Sequence, residues 1–313
     1  MSIKPGLELD NFDKAIRPQD DLYLHTNGKW FRETEIPADQ SIHGSFHMLR
    51  DASEEAVKEI LEEAAANPQP GVSQQIGDLY SSFLNEHLAD ELAIAPIAGD
   101  LQRIRDAKHI DELMKLMGEF ARQGISGFFS LYIDNDPGNP ERYLPHVAQG
   151  GLGLPDEAYY REEKHLEIRD AYVPFIAQMF QHAGFDAASA DKAAAKIMAF
   201  ETALAATHWN VVDSRDAEKT YNLYSLVALQ ELTPGLDWNQ WTYGLEVSAD
   251  ALSEVVVMMP SFFEMLPKLF NDENLESVKL WFQWELINSM APYLSKDLID
   301  TRFEFYGRKL TGQ

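Results

Sequence analysis

The chain reads as mainly α, a multi-helical fold with one β-hairpin and an extended N-terminal arm. Apolar residues recur at helical spacing through most of the chain, with short connections between the periodic segments. One stretch breaks that pattern with β-favouring residues followed by a turn cluster: Gly127-Phe128-Phe129-Ser130-Leu131-Tyr132-Ile133, then Asp134-Asn135-Asp136-Pro137-Gly138-Asn139-Pro140. The segment from Arg17 to Arg50 shows no helix period over its first two thirds, yet it holds Tyr23, Trp30 and Phe31. Aromatic content of that kind is foreign to a free linker, so it predicts an arm pinned to a surface. The expected organisation is an arm over 1–45 and a helical domain over 46–313.

Taken in order, Asp51 to Ala66 is predicted helical, on a stripe of Leu49, Ala56, Ile60 and Ala64 that Asn67-Pro68 stops. Ser73 to Leu84 follows, with Ile76, Leu79, Tyr80 and Phe83 on one side and Ser73 as a cap. Pro96 suits the first turn of a helix carrying Ile97, Leu101 and Ile104. Ile110 to Arg122 continues through Leu113, Met117 and Phe120. The hairpin is expected near 127–149, and Pro145 makes its second strand an edge or irregular strand. Asp156 is expected to start another helix. Glu163 to Ala183, with a kink at Pro174, and Ser189 to Trp209 are predicted as long helices. Shorter ones are expected at Ser225–Gln230, Asp237–Leu245, Pro260–Phe270, Leu275–Met290 and Ser295–Phe305, while Ser253 to Met258 is an ambiguous short strand.

Composition sets bounds. With 313 residues, 45% of them hydrophobic, the chain is long enough for one large domain or two smaller ones and a normal core. No cysteine is present, which removes disulfides and thiolate metal sites. The formal charge of -25 repels phosphate backbones and argues against nucleic acid. It would attract cationic peptides, although plain solubility is the first reading of such a charge. No apolar run approaches the roughly 20 residues of a membrane span, and the first residues lack a signal pattern. The expectations are therefore no membrane partner and a cytoplasmic setting.

Candidate chemistry is sparse. His43 and His47 stand four apart, as in H-E-x-x-H zinc helices, but Gly44 occupies the place of the glutamate. Asp134 and Asp136 suggest a calcium loop, yet Gly138 and Asn139 stand where Asp or Asn and then Gly are needed; a hairpin turn uses the same residue types. Gly151-Leu152-Gly153 lacks the rest of a dinucleotide fingerprint. Arg50 lies beside an apolar stripe, where a guanidinium can fork onto a ligand carboxylate. Spacing alone pairs it instead with Glu54, one helical turn on.

Five blocks in order give the chain a resemblance. They are Arg17-Pro18-Gln19-Asp20-Asp21-Leu22-Tyr23 with Asn27-Gly28-Lys29-Trp30 and Ile36-Pro37; Phe46-His47-Met48-Leu49-Arg50-Asp51; Gly153-Leu154-Pro155-Asp156-Glu157-Ala158-Tyr159-Tyr160; Tyr221-Asn222-Leu223; and Phe305-Tyr306-Gly307. The pattern resembles the N-terminal half of neprilysin-like zinc metallopeptidases of the bacterial oligopeptidase O type. Secreted and membrane-bound relatives carry a cysteine where this chain has Gln19. Family members continue into a lobe with H-E-x-x-H and E-x-x-x-D, whereas no His-Glu dipeptide occurs among these 313 residues.

The resemblance implies a helical cap lobe that encloses a cavity, admits peptides and excludes folded proteins. It implies zinc in the full-length enzyme and none bound by this chain, peptide substrates, and a C-terminal catalytic lobe as the partner of the arm. It also gives Arg50 a role, contact with the C-terminal carboxylate of a short substrate; no residue here is expected to be catalytic or to ligate metal. The chain alone should then be inactive. A stand-alone helical module that binds a peptide or protein is the alternative.

Overall fold

A computed structural model describes residues 8–312, and helices dominate it. Contacts divide the chain into two units, Met1–Gly77 with Thr311–Gln313, and Asp78–Leu310. The division falls within a helix rather than at the expected 45/46 boundary.

In the first unit the extended arm is corrected. Leu22–Glu33 forms helix α1, started by Asp21, whose carboxylate accepts the Leu24 N–H at 2.9 Å. The residues before it fold back on this helix: the Asp13 N–H donates to the His25 carbonyl at 2.8 Å, and Arg32 pairs with Asp13. Asn27-Gly28, a weak helix dipeptide, sits mid-helix because a Cβ at residue 28 would lie 2.8 Å from the Asp13 Cβ. The periodicity was hidden because Leu22, Tyr23 and Phe31 are all exposed. Residues 34–44 lack regular structure, as expected of that stretch. Helix α2 (Ser45–Ala66) begins six residues before the predicted start, and α3 (Val72–Phe83) follows.

The second unit contains α4 (Glu86–Leu92), which the sequence does not mark, then α5 (Ala95–Asp106), with Pro96 in its first turn, and α6 (Ile110–Ala121). Strands β1 (Phe129–Asp136) and β2 (Asn139–Gln149) form the expected hairpin, antiparallel and in register from Phe129↔Gln149 to Asn135↔Tyr143. In place of a helix from Asp156 there are two 3-10 turns, Glu157–Tyr160 and Glu163–His165, before α7 (Leu166–His182), which runs on through Pro174. Then come α8 (Ala187–Ala205), the single turn α9 (Ala217–Thr220), β3 (Leu223–Ser225), α10 (Leu226–Leu232), α11 (Trp238–Leu245) and β4 (Glu254–Val257). The chain closes with α12 (Pro260–Leu269), α13 (Leu275–Met290), α14 (Lys296–Phe303) and a π-type turn over Glu304–Leu310.

The hairpin belongs to a four-stranded sheet of order β1-β2-β4-β3. β2 is therefore internal, not the edge that Pro145 suggested. The proline is tolerated because β4 pairs only with His146 and Val147, so no donor is required at residue 145 on that side. The core is aromatic. Phe128 stacks on Trp281 with centroids 3.9 Å apart, and Phe129 packs on Trp238, Trp241 and Phe263. α13 is buried on every side, through Val278, Trp281, Phe282, Trp284, Leu286 and Ile287, and so acts as the central helix. α6 and α11 touch backbone to backbone: a Cβ at Gly118 would stand 2.1 Å from the Trp241 carbonyl oxygen, and one at Gly244 2.0 Å from that of Lys115. Among the described residues no helix is long and apolar enough to cross a membrane.

Candidate functional site

Arg50 lies on the second turn of α2, where it borders a shallow hollow with Gln40, Ile42, His47, Asp51 and Glu54. Its side chain is 53% exposed and pairs with Asp51 at 3.1 Å and Glu54 at 3.5 Å. The Glu54 contact is the one helical spacing predicts. Glu54 is well exposed and Asp51 partly so, which makes both pairs weak. The Gln40 amide donates to Asp51 at 3.0 Å and, with Arg50 second, holds that carboxyl below its usual range. Asp51 thus stays ionised and keeps the guanidinium oriented.

The two histidines of the pair make separate contacts. His43 Nδ1 lies 3.0 Å from the Gln40 side-chain oxygen, and its ring stacks on Trp30. His47 lines the hollow with Arg50. Among the described residues no group of three or more His, Asp or Glu is placed to hold a metal ion. Asp136 serves the hairpin turn, as its residue type suggested: it accepts from the Gly138 N–H and from Arg142 Nε, both at 2.8 Å. Burial would raise its pKa, but these bonds and one from Tyr221 outweigh that and lower it.

Two of the sequence blocks meet around a residue that sequence reasoning missed. Glu201, on α8, is fully buried and accepts the Tyr160 hydroxyl at 2.6 Å and the Tyr172 hydroxyl at 3.1 Å. The Leu154 N–H donates to Tyr160 Oη at 3.0 Å, and Trp284 Nε1 to Tyr172 Oη at 3.1 Å. Tyr306 donates to the Gly153 carbonyl at 3.0 Å and receives the Asn288 amide, while Phe305 stacks on Phe175. Gly153 is required here, since a Cβ would fall 1.8 Å from Tyr172 Oη. The Gly153–Tyr160 block and the Phe305-Tyr306-Gly307 block are thus read as one structural knot tying α7, α8, α13 and the chain end. Desolvation raises Glu201 to about 7, against the pull of the Tyr160 and Tyr172 bonds. Desolvation and the Glu201 charge likewise push the buried Glu285 up. Nearby, burial lowers His208 to about 4, and its Nε2–H donates to the Gly150 carbonyl at 3.0 Å.

The model of the N-terminal part of peptidase family M13 matches residues 18–313. The chain belongs to that family, the neprilysin-like metallopeptidases. Endothelin-converting enzyme 1 of Cavia porcellus is 25% identical over 319 residues, covering 97% of this chain and 42% of the relative. Membrane metallo-endopeptidase-like 1 of Mus musculus is 26% identical over 329 residues, covering 96% and 43%. Among solved structures, the zinc metalloprotease Zmp1 of Mycobacterium tuberculosis, in complex with an inhibitor, superposes with a TM-score of 0.89 at 40% identity, over 98% of this chain and 47% of that one. PepO from Lactobacillus rhamnosis HN001, at 20% identity and a TM-score of 0.74, shares the fold over 95% of this chain. The chain spans less than half the length of these relatives. The expectation of a cytoplasmic chain gains nothing from them, one being a membrane metallo-endopeptidase by name.

Proposed function

We propose that this chain is the non-catalytic cap portion of a zinc metallopeptidase that hydrolyses peptides. It would enclose the substrate and limit its size, while a separate portion bearing H-E-x-x-H supplies zinc and the polarised water. The observation that carries this reading is the match to the N-terminal part of the family over nearly the whole chain, in a sequence without a His-Glu dipeptide. The exposed aromatics of α1, Tyr23 and Phe31, support the first unit as the surface that meets the catalytic portion. Arg50 is proposed to bind the C-terminal carboxylate of short substrates, supported by its exposure and by partners weak enough to yield.

The test uses the polypeptide that carries both portions. Arg50→Met should raise KM for peptides with a free C-terminus about tenfold while leaving their C-terminal amides unchanged. The same enzyme should cut short peptides and spare that sequence inside a folded protein. An Arg50→Met enzyme that handles acids and amides with unaltered selectivity would remove Arg50 from the substrate site. Equal cleavage of folded and short substrates would remove the enclosure.

A further inference from the structure

We propose that the open edge of β1 takes an extended, positively charged peptide as an added strand. The proposal rests on the peptide-handling role above and places a second contact for such peptides on the hairpin, well apart in sequence from Arg50.

β1 has a neighbour on one side only, because it stands at the end of the order β1-β2-β4-β3. Among the described backbone–backbone hydrogen bonds outside the strands none involves Phe129 to Asp136, and the Asn135 N–H at the far end is taken by the Asp134 carboxylate at 2.8 Å. At about 3.3 Å per residue, the 8-residue strand is long enough to template a peptide of six or so residues. The opposite edge, β3, has 3 residues and is too short for that.

Exposed edges are normally guarded by charges, prolines or bulges. Here the guards are confined to the far end, with the exposed Asp134 and a register shift between Asn135 and Asp136. Phe129-Ser130-Leu131-Tyr132-Ile133 has no charge, glycine or proline and consists mostly of strong strand formers. The proline of the hairpin, Pro145, lies on the inner strand and protects nothing. The edge is also rigid at its base, since Phe129 is locked against Trp238 and Trp241, so little ordering cost remains for an incoming strand. Tyr132 (41% exposed) and Ile133 (63% exposed) project to opposite faces, giving an added strand an apolar neighbour on each side.

Charge selects the occupant. Asp134 and Glu141 are exposed near the outer end, and Arg142 is already engaged by Asp136 and Glu254. A second copy pairing edge to edge would bring together two chains of charge -25. A peptide with lysines flanking an apolar strand gains from the same field.

The probe is an end-blocked Lys-Val-Thr-Val-Thr-Val-Lys peptide, with a version N-methylated at alternate residues that keeps the side chains and deletes the donors. Amide hydrogen exchange of the 313-residue chain is followed with each. The expected result is slowed exchange confined to 129–135 with the first peptide, weakened by salt and absent with the N-methylated one. Ile133→Lys, at an exposed position, should weaken binding about tenfold with unaltered thermal melting. Protection elsewhere, or equal protection by the N-methylated peptide, overturns the proposal. So does an edge already slow to exchange in the free chain together with a concentration-dependent dimer, which would assign it to a second copy. Peptide binding here combined with no hydrolysis by the longer polypeptide would sink the peptidase reading and leave the edge site standing; the reverse pattern would do the opposite.

Discussion

Replacing Glu201 by glutamine should stabilise the Asp78–Leu310 unit at pH 8 and change it little at pH 5. The buried carboxyl titrates near 7 in the folded chain, against an ordinary value of 4.5. Below 4.5 it is protonated in both states and has no effect on the folding balance. As pH rises from 4.5 to 7 the unfolded chain releases this proton first, so folded stability falls, and above 7 the loss levels off. A shift of that size corresponds to about 3 kcal/mol, most of it accumulated between pH 5 and pH 8. His208 runs the other way. Held near 4 by burial, it gains stability as pH rises toward 6.5, so the two trends oppose each other and the wild-type curve alone is uninformative. The quantity to measure is the difference between Glu201→Gln and wild type in urea midpoint at pH 5, 6, 7 and 8. Tryptophan fluorescence suits the assay, since Trp30 is the one tryptophan of 6 outside this unit. The difference should grow with pH by about 2–3 kcal/mol. A constant difference, or one that shrinks toward pH 8, would refute the buried-proton reading of this knot.

Gly153→Ala places a methyl on the Tyr172 hydroxyl and should cost at least about 2 kcal/mol in the same assay, through overpacking and a displaced hydrogen bond; a change below about 0.5 kcal/mol would show that the knot yields freely. Asp21→Ala removes the cap of α1 and should cost about 1 kcal/mol locally, seen as roughly fivefold faster amide exchange over Leu22–Glu33. Arg50→Met, by contrast, should leave stability within about 0.5 kcal/mol, because both of its ion pairs are exposed.

Much of the fold was legible because burial leaves a period. The Ile110–Ala121 and Pro260–Leu269 helices carry sharp apolar stripes, and the strand formers 128–133 followed by a turn cluster marked the hairpin. β3 and β4, with 3 and 4 residues, are too short for alternation to register, so the sheet around the hairpin was invisible. α1 escaped notice because the apolar side chains Leu22, Tyr23 and Phe31 are not turned into its own unit. Arg50 was singled out by resemblance, since spacing alone assigned it to Glu54. Glu201 could not be distinguished by type among 51 acidic residues. The usable signal lay elsewhere, in the Tyr159-Tyr160 pair of the Gly153–Tyr160 block, because a buried tyrosine hydroxyl requires an acceptor.

These residues are proposed to form the cap of a metallopeptidase and to lack its metal chemistry. Zinc content by mass spectrometry of the purified chain, after equilibration with zinc and gel filtration, tests this proposal most directly when joined to a peptide-hydrolysis assay with and without chelator. The expected result is zinc far below one per chain and no chelator-sensitive hydrolysis. One zinc per chain together with hydrolysis abolished by chelator would contradict it.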